Sequence, residues 1–146
     1  MQTMSLSFPF ELWGDVVAHL SGALPNEACG FLAGRSNVVT RVYPVENALQ
    51  SPTAYRMDPV SQILAMRAID EAGLDLIGIF HSHPQGPLAP SPTDLREAAY
   101  PDVRYVICAP RDDGWDARAF WLRDGRATEE PVAWGSFTGD RGGDSQ

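Results

Sequence analysis

At 146 residues, 44% hydrophobic and 21% charged, the chain has the length and balance of one soluble globular domain with its own core. Its formal net charge of −8 leaves no basic stripe to displace counterions, which argues against nucleic acid and suits a neutral or basic partner surface. There is no signal-type start and no apolar run of membrane length, and two cysteines, Cys29 and Cys108, are too few for a disulfide framework.

Both cysteines lie in apolar runs and read as packed core thiols, so the chain is expected to be cytoplasmic. In order, Phe10, Trp13, Val16, Val17, Leu20 and Leu24 make one face of a helix stopped by Pro25. His19 lies off that stripe and reads as a surface residue. Ala28 to Ala33 and Val38 to Val45 read as a hairpin about Gly34-Arg-Ser-Asn37. Glu46 to Pro52 is polar and irregular, and Thr53 to Met57 reads as a short strand. Asp58-Pro59 then opens a helix that runs to Ala72 and stops at Gly73.

Leu76 to Phe80 is too short for a helix and apolar throughout, so it is expected to be a buried strand. Residues i and i+2 of a strand share a face, which places His81 and His83 together at its carboxyl end and turns Ser82 away. Pro84 ends the strand. Gln85 to Pro90 is a turn-rich and rather stiff loop, and Ser91-Pro-Thr-Asp94 opens a helix expected through Ala99. Val103 to Ala109 is a further buried strand. Trp115 to Arg123 and Arg126 to Val132 follow as a hairpin about Asp124-Gly125. Residues 1–134 make up the domain, and 135–146 are expected to be a flexible tail.

Two imidazoles on one face can hold a metal, and a loop of this length can fold Asp94 back as a third ligand. The plainer reading makes Ser91-x-x-Asp94 a helix cap and the histidines ordinary strand-end residues. Three protein ligands leave a position for water, the arrangement of a catalytic zinc. Such a site also needs a base. Glu27, at the start of Glu-Ala-Cys-Gly-Phe-Leu-Ala-Gly34, is the candidate if its strand lies beside the histidines. Otherwise it is a solvated acid at an element boundary.

Glu27, His81-Ser-His83-Pro and Ser91-Pro-Thr-Asp94 together resemble the signature of the JAMM (MPN+) metalloproteases. The resemblance implies one zinc per chain held by His81, His83 and Asp94. It further implies Glu27 as the base that activates water and Ser91 as a support for the oxyanion. It implies an α/β single-domain sandwich, a curved and mostly antiparallel sheet flanked by helices, of cytidine-deaminase-like kind. A nucleoside deaminase itself would need a Pro-Cys-x-x-Cys, which is missing.

Asn26 to Gly34, Asn47 to Asp58 and Arg126 to Val132 look like the short bacterial members of that family. Some of these cut after the terminal Gly-Gly of ubiquitin-like sulfur-carrier proteins and release cysteine or a short extension. The resemblance therefore implies such a carrier as substrate. A broader isopeptidase on ubiquitin-like conjugates and a non-catalytic scaffold are the alternatives. Arg141-Gly142-Gly143 resembles a carrier's own terminus and could place a neighbour's tail in the active site. The oligomeric state, a homodimer included, is left open by the sequence.

Overall fold

Strand β1 (Leu6–Pro9) runs straight into helix α1 (Phe10–Ala23), whose Val16 and Leu20 are buried against the sheet. The computed structural model describes residues 5–135. The Arg141-Gly142-Gly143 reading lies outside them, as does the rest of the expected tail beyond Gly135.

Strands β2 (Cys29–Arg35) and β3 (Val38–Val45) form the expected hairpin, with Ser36 and Asn37 both at positive φ in its two-residue turn. Helix α2 (Pro59–Glu71) starts where Asp58 accepts a hydrogen bond from Ser61 N at 2.9 Å. It ends before Gly73, whose φ of +69° carries the chain into β4 (Asp75–Ser82). Helix α3 (Pro92–Glu97) is shorter than expected. The Tyr105 hydroxyl accepts from Ala99 N and Tyr100 N and so takes up donors that a longer helix would have used. Strands β5 (Arg104–Arg111), β6 (Gly114–Arg123) and β7 (Arg126–Glu130) form a meander.

The last segment departs from the expected single strand. Pro131 cannot donate to a ladder, and the chain breaks there. Val132–Gly135 becomes a separate strand, β8, parallel to β1, so Gly135 belongs to the sheet rather than to a tail. The strand order is β7-β6-β5-β4-β2-β3-β1-β8. Its two ends, β7 and β8, are consecutive in the chain, which makes the sheet curl until it nearly closes. Leu6 N donates to Pro131 O at that seam. Pairings are antiparallel for β2–β3, β2–β4, β5–β6 and β6–β7, and parallel for β1–β3, β1–β8 and β4–β5.

Each face of the sheet carries its own core. Leu20 of α1 packs with Phe8, Leu32, Phe80 and Val106 on one face; Ile69 of α2 packs with Phe31, Ile79, Ile107 and Phe120 on the other. Ile77 and Phe80 share a face despite their odd spacing, because the β2–β4 register slips between Leu32 and Ala33 and leaves Ile77 as the extra residue. Cys29 and Cys108 are buried free thiols, as expected. His19 is not the surface residue expected from its place off the stripe. It is half-buried, donates from Nε2 to Cys29 O at 3.0 Å and packs edge-on against Phe80, because α1 lies across the start of β2. Among the described residues, no helix is long and apolar enough to cross a membrane.

Candidate active site

The end of β4 and the start of β2 set the geometry. Cys29 is the register partner of His81, and Ser82 N donates to Ala28 O at 3.0 Å. Ser82 Oγ, turned to the other face, accepts from Ala28 N at 2.9 Å. This pairing needs a glycine at position 30: a Cβ there would lie 2.5 Å from the Phe80 ring and 2.7 Å from Tyr43 O. Glu27, two residues before Cys29, is thereby carried to the histidine end of the neighbouring strand.

His81 and His83 point the same way, their Nε2 atoms 3.2 Å apart. His81 Nε2 lies 3.2 Å from Asp94 Oδ1, and His83 Nε2 lies 3.1 Å from Asp94 Oδ2. Asp94 reaches them from α3, where its Oδ2 accepts from Ser91 N at 2.8 Å and Ser91 Oγ accepts from Asp94 N at 3.0 Å. The plainer reading of Ser91 and Asp94 as a capping pair and the ligand reading of Asp94 describe one geometry.

Charge states follow from these contacts. Burial lowers the pKa of His81, which is 1% exposed. Burial also works against the charged form of His83, but the hydrogen bonds to Asp94 and Pro87 O outweigh it and raise the pKa. Burial alone would raise the Asp94 carboxyl, yet the hydrogen bonds from His81 and His83 hold it well below the usual carboxylate range. Glu27 is 5% exposed, and burial pushes its carboxyl from 4.5 to about 7; the charge on His83 partly opposes this.

The donor set fits a metal ion. One ligand atom from each of His81, His83 and Asp94 lies within 4.8 Å of the others. Pro87 O can only accept, so His83 Nδ1 carries a hydrogen at 2.8 Å, and once the Nε2 proton gives way to a metal ion its lone pair faces the cluster. Lone pairs and a carboxylate that converge in this way require a proton or a cation between them. Two imidazole nitrogens with one carboxylate oxygen suit zinc.

Two clefts meet at this cluster, and Tyr55, Asp94 and Glu97 line both. One, of about 250 Å³, also contains Glu27, His83, Ser91 and the Pro84 to Pro87 rim. The other, of about 220 Å³, contains His81, Phe31, Ile79 and Tyr105. Glu27, His81, His83, Ser91 and Asp94 thus come to one place.

The structure adds Tyr55, whose ring stacks on His81, and Asn47, which is buried and ties down the loop carrying Tyr55. The expected strand over Thr53 to Met57 is absent; only an isolated bridge joins Asn47 and Met57. The Asn47 side chain there takes hydrogen bonds that a partner strand would have taken. The only sequence signal for either residue is the Asn47 to Asp58 run.

Comparison with known proteins now decides the family. Residues 10–123 match the family described as prokaryotic homologs of the JAB domain. The chain belongs to the prokaryotic JAB family. Within it, the CysO-cysteine peptidase of Mycobacterium tuberculosis (strain H37Rv) is 40% identical over 125 residues, covering 84% of this chain and 86% of that one. The probable TtuB-protein conjugate cleaving protease of Thermus thermophilus is 43% identical over 122 residues, covering 83% of this chain and 78% of that one. A solution structure from Desulfitobacterium hafniense superposes with a TM-score of 0.81 at 34% identity, covering 89% of this chain and 92% of that one. The JAMM resemblance, the α/β fold and the peptidase class implied by the motif agree with this JAB membership and with the named relatives.

Proposed function

We propose that this chain is a zinc-dependent peptidase that hydrolyses the amide bond after the C-terminal Gly-Gly of a ubiquitin-like sulfur-carrier protein in the cytoplasm, releasing cysteine or a short extension. The observation that carries this reading is the convergence of His81, His83 and Asp94, with a buried Glu27 lining the same cleft as His83 and Asp94. The names of the mycobacterial and Thermus relatives support the substrate class.

His81, His83 and Asp94 would hold the zinc, which supplies a Lewis acid and lowers the pKa of water to about 7. Glu27 takes the proton of the attacking water on its carboxylate and returns it to the departing amine nitrogen. In the metal-free protein burial raises this carboxyl to about 7, so the site disposes Glu27 to hold a proton close to neutral pH. Ser91 Oγ already accepts from Asp94 N, so its own hydrogen remains available to the developing oxyanion. The Pro84 to Pro87 rim lines the cleft and fixes His83 through Pro87 O.

The test begins with metal analysis of the wild type and of His83→Ala. About one zinc per chain in the first and none in the second is the expected result. A carrier extended by one cysteine is then assayed beside an isopeptide-linked conjugate. Preference for the conjugate would favour the broader isopeptidase reading, which the Thermus relative's name also supports. No zinc in either protein, even after reconstitution, would leave a non-catalytic scaffold.

A further inference from the structure

We propose that Tyr55 is a positioning residue for His81, holding by ring stacking an imidazole that lacks the usual second hydrogen bond, and that Asn47 holds Tyr55 in place. The inference rests on the metal-centre reading above and extends it to residues outside the JAMM signature.

A metal-ligating imidazole ordinarily donates its second N–H to a carbonyl or carboxylate, which fixes the ring's orientation. His83 does this through Pro87 O. His81 does not: its Nδ1 is buried and finds no hydrogen-bond partner among the described residues. What lies against the ring instead is Tyr55, stacked at 4.5 Å between centroids with 27° between planes. Stacked aromatic pairs of this kind prefer a defined geometry and resist rotation of either ring.

A stack orients its partner only if it is itself fixed, and Tyr55 sits in a loop outside the helices and strands. Asn47 supplies the anchor. Its Nδ2 donates to Ala54 O at 3.1 Å, and its Oδ1 accepts from Arg56 N at 3.1 Å. The residues on either side of Tyr55 are therefore pinned by one buried amide. The same amide donates to Glu27 O at 3.0 Å and accepts from Leu49 N at 3.0 Å, which uses both of its donors and both acceptor directions. One side chain thus registers the loop under His81 against the backbone of Glu27.

The test measures zinc affinity of the full chain by competition with a chromophoric chelator, alongside circular dichroism and thermal melting. Tyr55→Phe keeps the ring face and is expected to stay within about twofold of wild type, whereas Tyr55→Leu is expected to weaken zinc by about tenfold or more. Asn47→Asp, which loses both donors, is expected to weaken zinc in the same direction. In the wild type, measured without metal, the His81 ring protons are expected upfield of those of His83 by the ring current of Tyr55. Wild-type affinity in a folded Tyr55→Leu variant, loss of affinity in Tyr55→Phe, or the absence of that upfield shift would each overturn the inference. Failure of the wild type to bind zinc would overturn the metal-centre reading and this inference with it. Zinc bound equally by wild type and Tyr55→Leu would overturn this inference alone.

Discussion

Ser91 and Asp94 hold each other through two reciprocal hydrogen bonds, of 2.8 and 3.0 Å, and the same Asp94 carboxylate lies 3.1 to 3.2 Å from both histidine Nε2 atoms. The helix cap orients the carboxylate and the histidines receive it. Removing the side chain therefore has two consequences that can be separated.

Asp94→Ala is expected to lose zinc and about 1 kcal/mol of stability, the cost of a missing cap. Asp94→Asn retains an oxygen to accept from Ser91 N and is expected to recover most of the stability but not the metal. Thermal melting of the metal-free proteins and elemental analysis read the two effects. Full zinc content in Asp94→Ala would reduce Asp94 to a cap.

Glu27→Gln preserves shape while abolishing the base. Zinc content is expected to be unchanged and kcat to fall by about 100-fold or more. Metal loss in this variant would mean that Glu27 is a ligand instead.

The raised pKa of Glu27 also predicts a stability effect with a definite sign. Between about 4.5 and about 7 the folded, metal-free protein keeps a proton on Glu27 that the unfolded chain has released. The native state binds more protons in that window, so this group makes stability fall as pH rises through it, by up to about 3 kcal/mol. Chemical denaturation of metal-free wild type and Glu27→Gln across pH 4.5 to 7 isolates the effect. The wild type is expected to lose stability relative to the variant, and parallel curves would remove the burial argument.

At the sheet's seam, Arg104 donates to Glu130 Oε2 at 2.5 Å and to Asn37 Oδ1 at 2.5 Å, with its guanidinium over Trp121. Arg104 and Glu130 are both buried. Glu130→Ala strands the guanidinium and is expected to cost about 3–5 kcal/mol in denaturant unfolding, whereas Arg104→Met with Glu130→Leu is expected to recover most of that. A single variant as stable as wild type would show that water reaches the seam.

Much of this protein could be read from sequence because its signals are local. The period of two places His81 and His83 on one face and turns Ser82 away. Asp58-Pro59, Gly73 and Asp124-Gly125 fix their boundaries by φ restriction and side-chain capping, and all lie where expected. Glu27, Ser91 and Asp94 stand out through the resemblance of the whole pattern to the JAMM signature, not through spacing alone.

What the tertiary structure decided are contacts between distant segments. Nothing in Leu6–Pro9 or Val132–Gly135 announces that they pair in parallel across the seam, because a short strand's partner is set by the closing of the whole sheet. Arg104 reads as an ordinary charge until Glu130, Asn37 and Trp121 enclose it. His19 reads as exposed until α1 is laid over Cys29. Glu27 comes near the histidines only because β2 pairs with β4, and its burial there lifts its pKa toward neutrality, since desolvation belongs to the assembled environment and not to the residue.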